Sequence, residues 1–381
     1  MKKLNNKIKK IAIVSDAIYP YNKGGKEKRW YEISTRLAKR GHAVTIYCMK
    51  WFNGKENTRI ENGVKLHAIS PYYPLYSGPR RSFKQAILFG IACFKLIKED
   101  FDVIDVDNVP HFPLFSTKIV CMLKRKKMTA TWLEVWGKDY WKEYLGKLGY
   151  IAYFIERLSV KLPDKIISIS EHTTKKLKNE LKINKPIHTI PLGVDLDLIK
   201  KIQPSKEKSD VIFAGRLLAH KNVDILIKSI SLLKKDYPDI KCIIVGEGPE
   251  ESKLKNLAQH LNLQGNIIFY DFLKNHNDLY ALMKSSKVFV LPSTREGFGI
   301  VALEANDCGI PVITTDHPDN ATKDFITNNK NGHIIRLDEK IIAQKIIEYL
   351  TSNTDNFKYQ NAAKTHDWTT ITEKLEKVYT I

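Results

Sequence analysis

Short β-branched apolar runs alternate with longer helical patterns along this chain, and the alternation begins twice. The runs KIAIVSDA and HAVTIYCM read as strands, with a helical stretch from Glu27 to Arg40 between them that ends at Gly41. Val64–Ile69, Val103–Val106, Met128–Trp132 and Lys165–Ser170 continue that series. A second series follows Ile190-Pro191-Leu192-Gly193-Val194-Asp195. Its strands are Asp210–Ala214, Lys241–Val245, Ile267–Tyr270, Val288–Leu291 and Val312–Thr314. Helical patterns run from about Asn222 to Lys235, near Glu251–Leu261 and from Ile300 to Cys308. Strands parted by helices imply βα units and a mainly parallel sheet. A chain of 381 residues has room for two such domains, each with its own core. Polar residues and prolines interrupt the pattern between Pro191 and Lys208, which puts the boundary there. The expected first domain is 1–192. Ligands of open parallel sheets bind beyond the carboxyl ends of the strands, so the two domains are expected to share one ligand in a cleft.

Apolar residues at 43% and charged residues at 27% exclude a disordered or fibrous chain. The five cysteines are scattered through apolar runs without a CxxC pair, the usage of a reducing compartment. The basic start is followed by only four apolar residues, Ile11 to Val14, too few for a signal peptide. The greasy stretch Ala86–Ile97 is interrupted by Lys95 and is too short to span a bilayer. These features give the expectation of a cytoplasmic protein, able to lie peripherally on the inner face of the membrane.

The net charge is +20, and it is lopsided. Residues 1–200 hold 38 Lys and Arg against 19 Asp and Glu, while the remainder holds 24 and 23. Such a field favours an anionic membrane surface, nucleic acid or a phosphorylated partner. A lysine-rich solvated surface would read the same way. No recognition helix or stacking sheet supports nucleic acid, which is not expected as a partner.

Three clusters can do chemistry. Gly24 and Gly25 lie between the first strand and helix, where backbone amides and a helix start favour an anion, although an ordinary turn has the same composition. Arg216 follows the strand VIFA and Lys221 lies five residues on, so that a guanidinium fork and an ammonium could clamp a diphosphate, unless both are solvated surface cations. Glu296 and Glu304 are eight apart and frame Gly297, Phe298 and Gly299. Their carboxylates can accept hydrogen bonds from sugar hydroxyls. The apolar neighbours of Glu304 argue against its being a plain surface residue. Asp105 and Asp107 form a DxD, which without a third ligand is a weak metal motif and reads better as a strand end facing the cleft. No metal is expected. Seven aromatics between Trp132 and Tyr153, among them Trp136, Tyr140 and Trp141, read as an acceptor platform, an interfacial patch or the inner face of two helices. Lys124 to Lys127 form a basic surface turn suited to phosphates.

Taken in order, Gly24-Gly25, Ser170-Glu171, the Ile190–Asp195 run, Gly215-Arg216 with Lys221, Val245-Gly246-Glu247-Gly248-Pro249, and Glu296 with Glu304 before Gly309-Ile310-Pro311-Val312 resemble the family 4 retaining glycosyltransferases of the GT-B fold. The likeness covers most of the chain. It implies an α/β protein of two Rossmann-like domains facing across a cleft, with 193–364 binding the nucleotide sugar. A terminal helix within 365–381, anchored by Trp368, would cross back onto the first, acceptor-binding domain. It further implies transfer of a hexose-type sugar, with retention of configuration, from a nucleoside diphosphate sugar such as a UDP-sugar. The acceptor would be a lipid-linked or cell-envelope saccharide, and no cofactor or metal would be needed.

By the same resemblance, Glu296 would hold the donor sugar, with Gly297, Phe298, Gly299 and Ile300 closing around sugar and phosphates. Glu304 would take the ribose, and Arg216 and Lys221 the diphosphate with help from the backbone of Gly24 and Gly25. Gly246 belongs to the donor loop, and Tyr270 to Leu273 would line the base pocket. Trp132, Trp136, Tyr140 and Trp141 would face the acceptor. One position departs from the pattern: Leu133 stands where the family commonly has a histidine. Either Glu134 or His111 takes over that catalytic place, or the enzyme is slow or altered in donor choice, or the residue was changed on purpose. The alternative function is nucleotide-sugar binding with little or no transfer.

Overall fold

The computed structural model describes residues 8–78, 80–351 and 366–380. The basic first residues and the expected boundary at 364/365 lie outside the described residues. By internal packing the chain divides into two units, one running to Leu192 and resuming at Trp368, the other spanning Gly193–Asp367.

In the first unit the strands are β1 (Lys10–Val14), β2 (Ala43–Met49), β3 (Thr58–Glu61), β4 (Val64–Ser70), the short pair β5 (Tyr76–Ser77) and β6 (Arg80–Arg81), β7 (Val103–Asp107), β8 (Met128–Trp132), β9 (Lys165–Ser168) and β10 (Ile187–Thr189). Its helices are α1 (Gly25–Lys39), α2 (Phe83–Ala92), α3 (Phe112–Leu123), α4 (Gly137–Leu145), α5 (Gly149–Ser159) and α6 (Glu171–Asn179). Eight strands form one sheet in the order β10-β9-β8-β7-β1-β2-β4-β3. All its pairings are parallel except the edge strand β3, which runs antiparallel to β4. Strand β3 was not expected: Thr-Arg-Ile-Glu is half charged, and only the edge position lets both its faces meet water. The order reverses between β1 and β7, the switch point where doubly wound sheets bind ligands.

The second unit contains β11 (Ser209–Ala214), β12 (Cys242–Val245), β13 (Ile267–Tyr270), β14 (Ser286–Leu291), β15 (Val312–Thr315) and β16 (Gly332–Ile335). Its helices are α7 (Leu196–Lys201), α8 (Val223–Leu233), α9 (Glu251–His260), α10 (His276–Lys284), α11 (Ile300–Asp307) and α12 (Glu339–Thr351). The sheet is wholly parallel in the order β13-β12-β11-β14-β15-β16, with its switch point between β11 and β14. Its central strands are apolar on both faces: Val211, Ile212, Phe213, Val288, Phe289 and Val290 have no solvent exposure. That double burial is why these strands read as continuous greasy runs rather than alternating ones.

The last helix, α13 (Trp368–Thr380), belongs to the first unit and packs against α1. Trp368, Ile371 and Leu375 fill its inner stripe, and Tyr379 donates its hydroxyl to Asp105 at 2.7 Å. Glu376 meets His42 at 2.8 Å and Arg40 at 2.9 Å. Two α/β domains of Rossmann type, with the closing helix returned to the first, are the architecture of the GT-B class.

Candidate functional site

The second unit gathers its chemistry at its switch point. Strand β11 ends at Ala214, and Gly215 continues with φ of 154°. The loop after β12 presses against it. A Cβ on Gly246 would stand 1.9 Å from the carbonyl oxygen of Gly215, and one on Gly248 2.3 Å from that of Leu217. Only glycine permits this approach, and Leu217 N–H to Glu247 O at 2.8 Å fixes it. Arg216 therefore leaves the sheet from a rigid double loop.

Lys221 ends a 3-10 turn, Ala219–Lys221. Asn222, held at φ of 50°, donates its side-chain amide to His220 O and Pro292 O, both at 3.1 Å. That asparagine joins the turn to the loop after β14, where Thr294 N–H also bonds His220 O at 2.9 Å. The result places Lys221 Nζ 2.5 Å from Glu296 Oε1, with 15% and 10% of the two side chains exposed. A lysine ammonium has three protons, so two remain for another anion after Glu296 takes one. Burial, with Lys221 and Arg295 adding to it, pushes the His220 imidazole down to about 3 and keeps it neutral.

Glu296 is held through its backbone, N–H to Asp319 O and C=O from Ala321 N–H, each at 3.0 Å. Asn320 braces that pairing by donating to Thr314 Oγ1 and Thr315 O at 2.9 Å. Gly299, at φ of 83°, caps the start of α11 where a Cβ would collide with Thr322 Oγ1. Gly297 is half-buried, Phe298 stacks on Phe325 with centroids 5.2 Å apart, and Ile300 opens the helix. Glu304 is 2% exposed, accepts from Tyr280 OH at 2.8 Å and lies 2.9 Å from His276 Nε2. The reading of Glu304 as more than a surface residue agrees with this burial. Tyr270 gives its hydroxyl to Glu207, and Phe272 N–H meets Glu247 at 3.1 Å, so Tyr270 to Leu273 sit beside the Gly246 loop.

The remaining sequence candidates lie in the first unit. Gly24 caps α1 and Gly25 begins it. Lys26, one residue on, is bonded to Asp16 and lies 3.5 Å from Asp107. Burial opposes its charge, yet Asp16 and Asp107 hold the ammonium above the usual lysine range. Arg81 reaches the same Asp16 at 3.1 Å, as does Gln85. Burial works against the Asp16 carboxylate, but Lys26 and Arg81 keep it below its usual range. His111 is 8% exposed at the head of α3, and burial depresses its imidazole to about 4.

His111 lines an apolar pocket with Trp136, Trp141, Tyr144, Phe83 and Phe112, enclosing about 630 Å³ of empty space with its mouth included. Trp141 donates Nε1 to Glu156 at 2.9 Å, and Tyr140 stacks on Tyr144 with planes 18° apart. Leu133 donates its N–H to Asn108 Oδ1, and Asn108 Nδ2 reaches Glu134 O, both at 3.1 Å. That side chain positions the loop carrying Leu133 and Glu134.

Two expectations need correction. Trp132 has no exposed surface; it is a core residue of β8 and offers no ring to an acceptor. Asp107 does end β7, as expected, but both Asp105 and Asp107 are buried, and their carboxylates are occupied by neighbouring side chains rather than presented to a cleft. Asp105 bonds Thr131 and Tyr379 beside buried Arg29, and Asp107 accepts from Trp30 Nε1 at 2.6 Å. Among the described residues no group of three His, Cys, Asp or Glu is placed to hold a metal, and no helix is long and apolar enough to cross a membrane. Sequence reasoning missed Asn108, Asn320, Glu156 and the Asp16–Lys26–Arg81 cluster. Only the cluster's strand-end aspartate, following IAIVS, had a signal in the pattern.

Two sequence profiles together span almost this whole arrangement. Residues 23–198 match the description Glycosyltransferase Family 4, and residues 195–366 match Glycosyl transferases group 1. An uncharacterised glycosyltransferase of Haemophilus influenzae is 30% identical over 178 residues, 46% of this chain and 48% of that protein. A human relative, one of the subunits of phosphatidylinositol N-acetylglucosaminyltransferase, is 26% identical over 97% of this chain and 75% of its own length. Of solved structures, Anabaena HepE in complex with UDP-glucose superposes with a TM-score of 0.75 at 16% identity, covering 98% of this chain and 100% of HepE. The chain spans about half the length, or less, of the first curated relatives it matches. It is a GT-B-fold protein related to the glycosyltransferases of family 4 and group 1.

Proposed function

We propose that this protein is a retaining glycosyltransferase that moves a hexose-type sugar from a UDP-sugar to a lipid-linked or cell-envelope saccharide. The observation that carries the reading is the Lys221–Glu296 pair at the switch point of the second sheet, 2.5 Å across and buried but for its edge. Lys221 and Arg216 neutralise the diphosphate as it leaves, and Glu296 accepts hydrogen bonds from the sugar hydroxyls beside it. Charge developing on the leaving group meets cations already in place, which lowers the barrier without a metal in this mechanism. Attack on the face the diphosphate vacates retains the anomeric configuration. Glu304, oriented by Tyr280 and His276, takes the ribose hydroxyls, and Tyr270 to Leu273 border the base. The UDP-glucose bound by Anabaena HepE supports the donor, and the phosphatidylinositol named for the human relative supports a lipid acceptor. The acceptor side comprises His111, Trp136, Tyr140 and Trp141, and the basic first unit faces an anionic membrane surface from the cytoplasm.

The test is mass-spectrometric detection of nucleoside diphosphate released from UDP-, GDP- and ADP-sugars, with and without membrane lipid extract. Lipid-stimulated release from one donor is expected. Glu296→Gln should lower that release by about a hundredfold or more while nucleotide affinity stays within a few-fold; unchanged turnover would remove its assigned role. Leu133 favours the second reading, a nucleotide-sugar-binding protein, because an apolar side chain stands at the end of β8 and supplies no hydrogen bond. Saturable binding with no release from any donor would establish that reading instead.

A further inference from the structure

Helix α2 reads FKQAILFGIA and is apolar nearly all round. Its inner side, Gln85, Ala86, Phe89 and Gly90, is buried, yet the opposite side carries Ile91 at 58% exposure, and the 3-10 turn that continues it carries Phe94 at 44%. Helix α3 repeats the arrangement: Leu114, Val120 and Cys121 are in the core while Met122 and Leu123 are 66% and 71% exposed. On α5, Ala152 and Ser159 face inward and Ile151 and Phe154 outward, each about 60% exposed. Helix α3 touches α2, the 3-10 turn and α5, so these outer sides adjoin. Single exposed apolar residues are ordinary, but a face contributed by three neighbouring helices is a contact surface. A helix that is greasy on its outer side needs an apolar medium there.

The charges around this face are predominantly positive, with Lys118 and Lys126 paired to Asp164 and Asp102 at its edge. The segments 82–98, 112–127 and 146–161 contain eleven Lys and Arg and a single acidic residue, Glu156. Glu156 is buried and occupied by Trp136 N–H, Gly137 N–H and Trp141 Nε1. Lys84, Lys98, Arg125, Lys147 and Arg157 are exposed among the apolar side chains. Lysine is depleted from protein–protein interfaces, whereas lysines interleaved with Phe, Ile and Leu suit the boundary between phosphate headgroups and acyl chains.

We propose that the outer face of α2, α3 and α5 docks on an anionic bilayer, with its apolar side chains below the headgroups and its lysines at the phosphates. This rests on the proposed membrane-associated function and replaces a purely electrostatic contact by one that enters the hydrocarbon. The same helices give Phe83, Ala86, Phe112, Ala152 and Ile155 to the wall of the pocket that holds His111 and Trp141. An acceptor anchored in that leaflet thus reaches the pocket along the helices that touch the lipid.

Flotation of the full chain with phosphatidylcholine vesicles, with and without phosphatidylglycerol, tests the proposal without any sugar donor. Binding is expected only with phosphatidylglycerol, and a substantial part should persist when about 1 M NaCl is added after binding, where screening acts beyond about 3 Å. The variant Phe94→Ser/Leu123→Ser/Phe154→Ser should bind at least about tenfold less, and Arg125→Glu/Lys147→Glu should bind less at low salt. Circular dichroism and melting of each variant keep misfolding separate, since all five side chains point outward. Flotation of the serine variant equal to the parent, complete release by salt, or no flotation at all would overturn it. So would a dimer in light scattering that the serine substitutions dissociate while vesicles remain unbound. If flotation fails while sugar transfer to a soluble acceptor persists, only the docking proposal falls.

Discussion

Lys221 and Glu296 illustrate how much one pair of side chains is asked to do. An ammonium and a carboxylate removed from water lose hydration, and their mutual attraction repays this only in good geometry with further hydrogen bonds. The pair is partly open, so the remaining lysine protons are available to an incoming phosphate. Lys221→Ala should therefore weaken binding of UDP by about ten- to a hundredfold, the range of a lost charge-assisted hydrogen bond of about 1.5–3 kcal/mol. Uridine affinity should stay unchanged, because it has no phosphate to lose. Calorimetric titration of both ligands checks this, and an equal loss for both would mean the lysine only props the loop. The spacing of Glu296 and Glu304 was readable in the sequence because both lie on one loop-to-helix segment. The bond from Lys221 was not, since its partner is 75 residues away and depends on how Asn222 ties two loops together.

At the scale of elements, most strands announced themselves through period and turn residues, as did the helices that became α1, α8, α9, α11 and α13; the other helices did not. The outer sides of α2 and α3 did not, because a greasy helix covered by core and one covered by another medium have the same letters. Trp132 shows the opposite ambiguity: an aromatic next to a loop resembled a platform, and the parallel strand it ends is buried on both faces. His111 supplies a prediction at this scale, since it heads α3 and packs near Trp141, with ring centroids 6.2 Å apart. Burial lowers its imidazole from 6.5 to about 4, so the folded element keeps it neutral where the unfolded chain binds a proton. Its contribution is complete above about pH 6.5 and is lost as pH falls toward 4, at no more than about 1.4 kcal/mol per pH unit. Urea unfolding of the first unit between pH 4 and 7 should show that fall, and His111→Gln should flatten it. An identical pH profile in the variant would assign the acid sensitivity to other groups.

At the scale of the whole molecule, the first unit is discontinuous in sequence. Helix α13 brings Trp368, Ile371, Leu375, Val378 and Tyr379 into its interior, all at most 5% exposed. At about 1.5–3 kcal/mol for each large apolar side chain, their loss approaches the whole stability of a domain, about 5–15 kcal/mol. A chain ending at Asp367 should lose the unfolding transition of the first unit and keep that of the second. Glu376→Gln, which weakens the contacts with Arg40 and His42, should lower the first transition by a few degrees. Differential scanning calorimetry separates these outcomes, and a truncated chain with both transitions intact would show that α13 is dispensable. The same discontinuity orders events on the ribosome. The half that leaves the exit tunnel first waits, with the seat beside α1 unfilled, until Gly193–Asp367 has been synthesised and the final helix emerges. The second unit, by contrast, is one continuous stretch and needs no segment made after it.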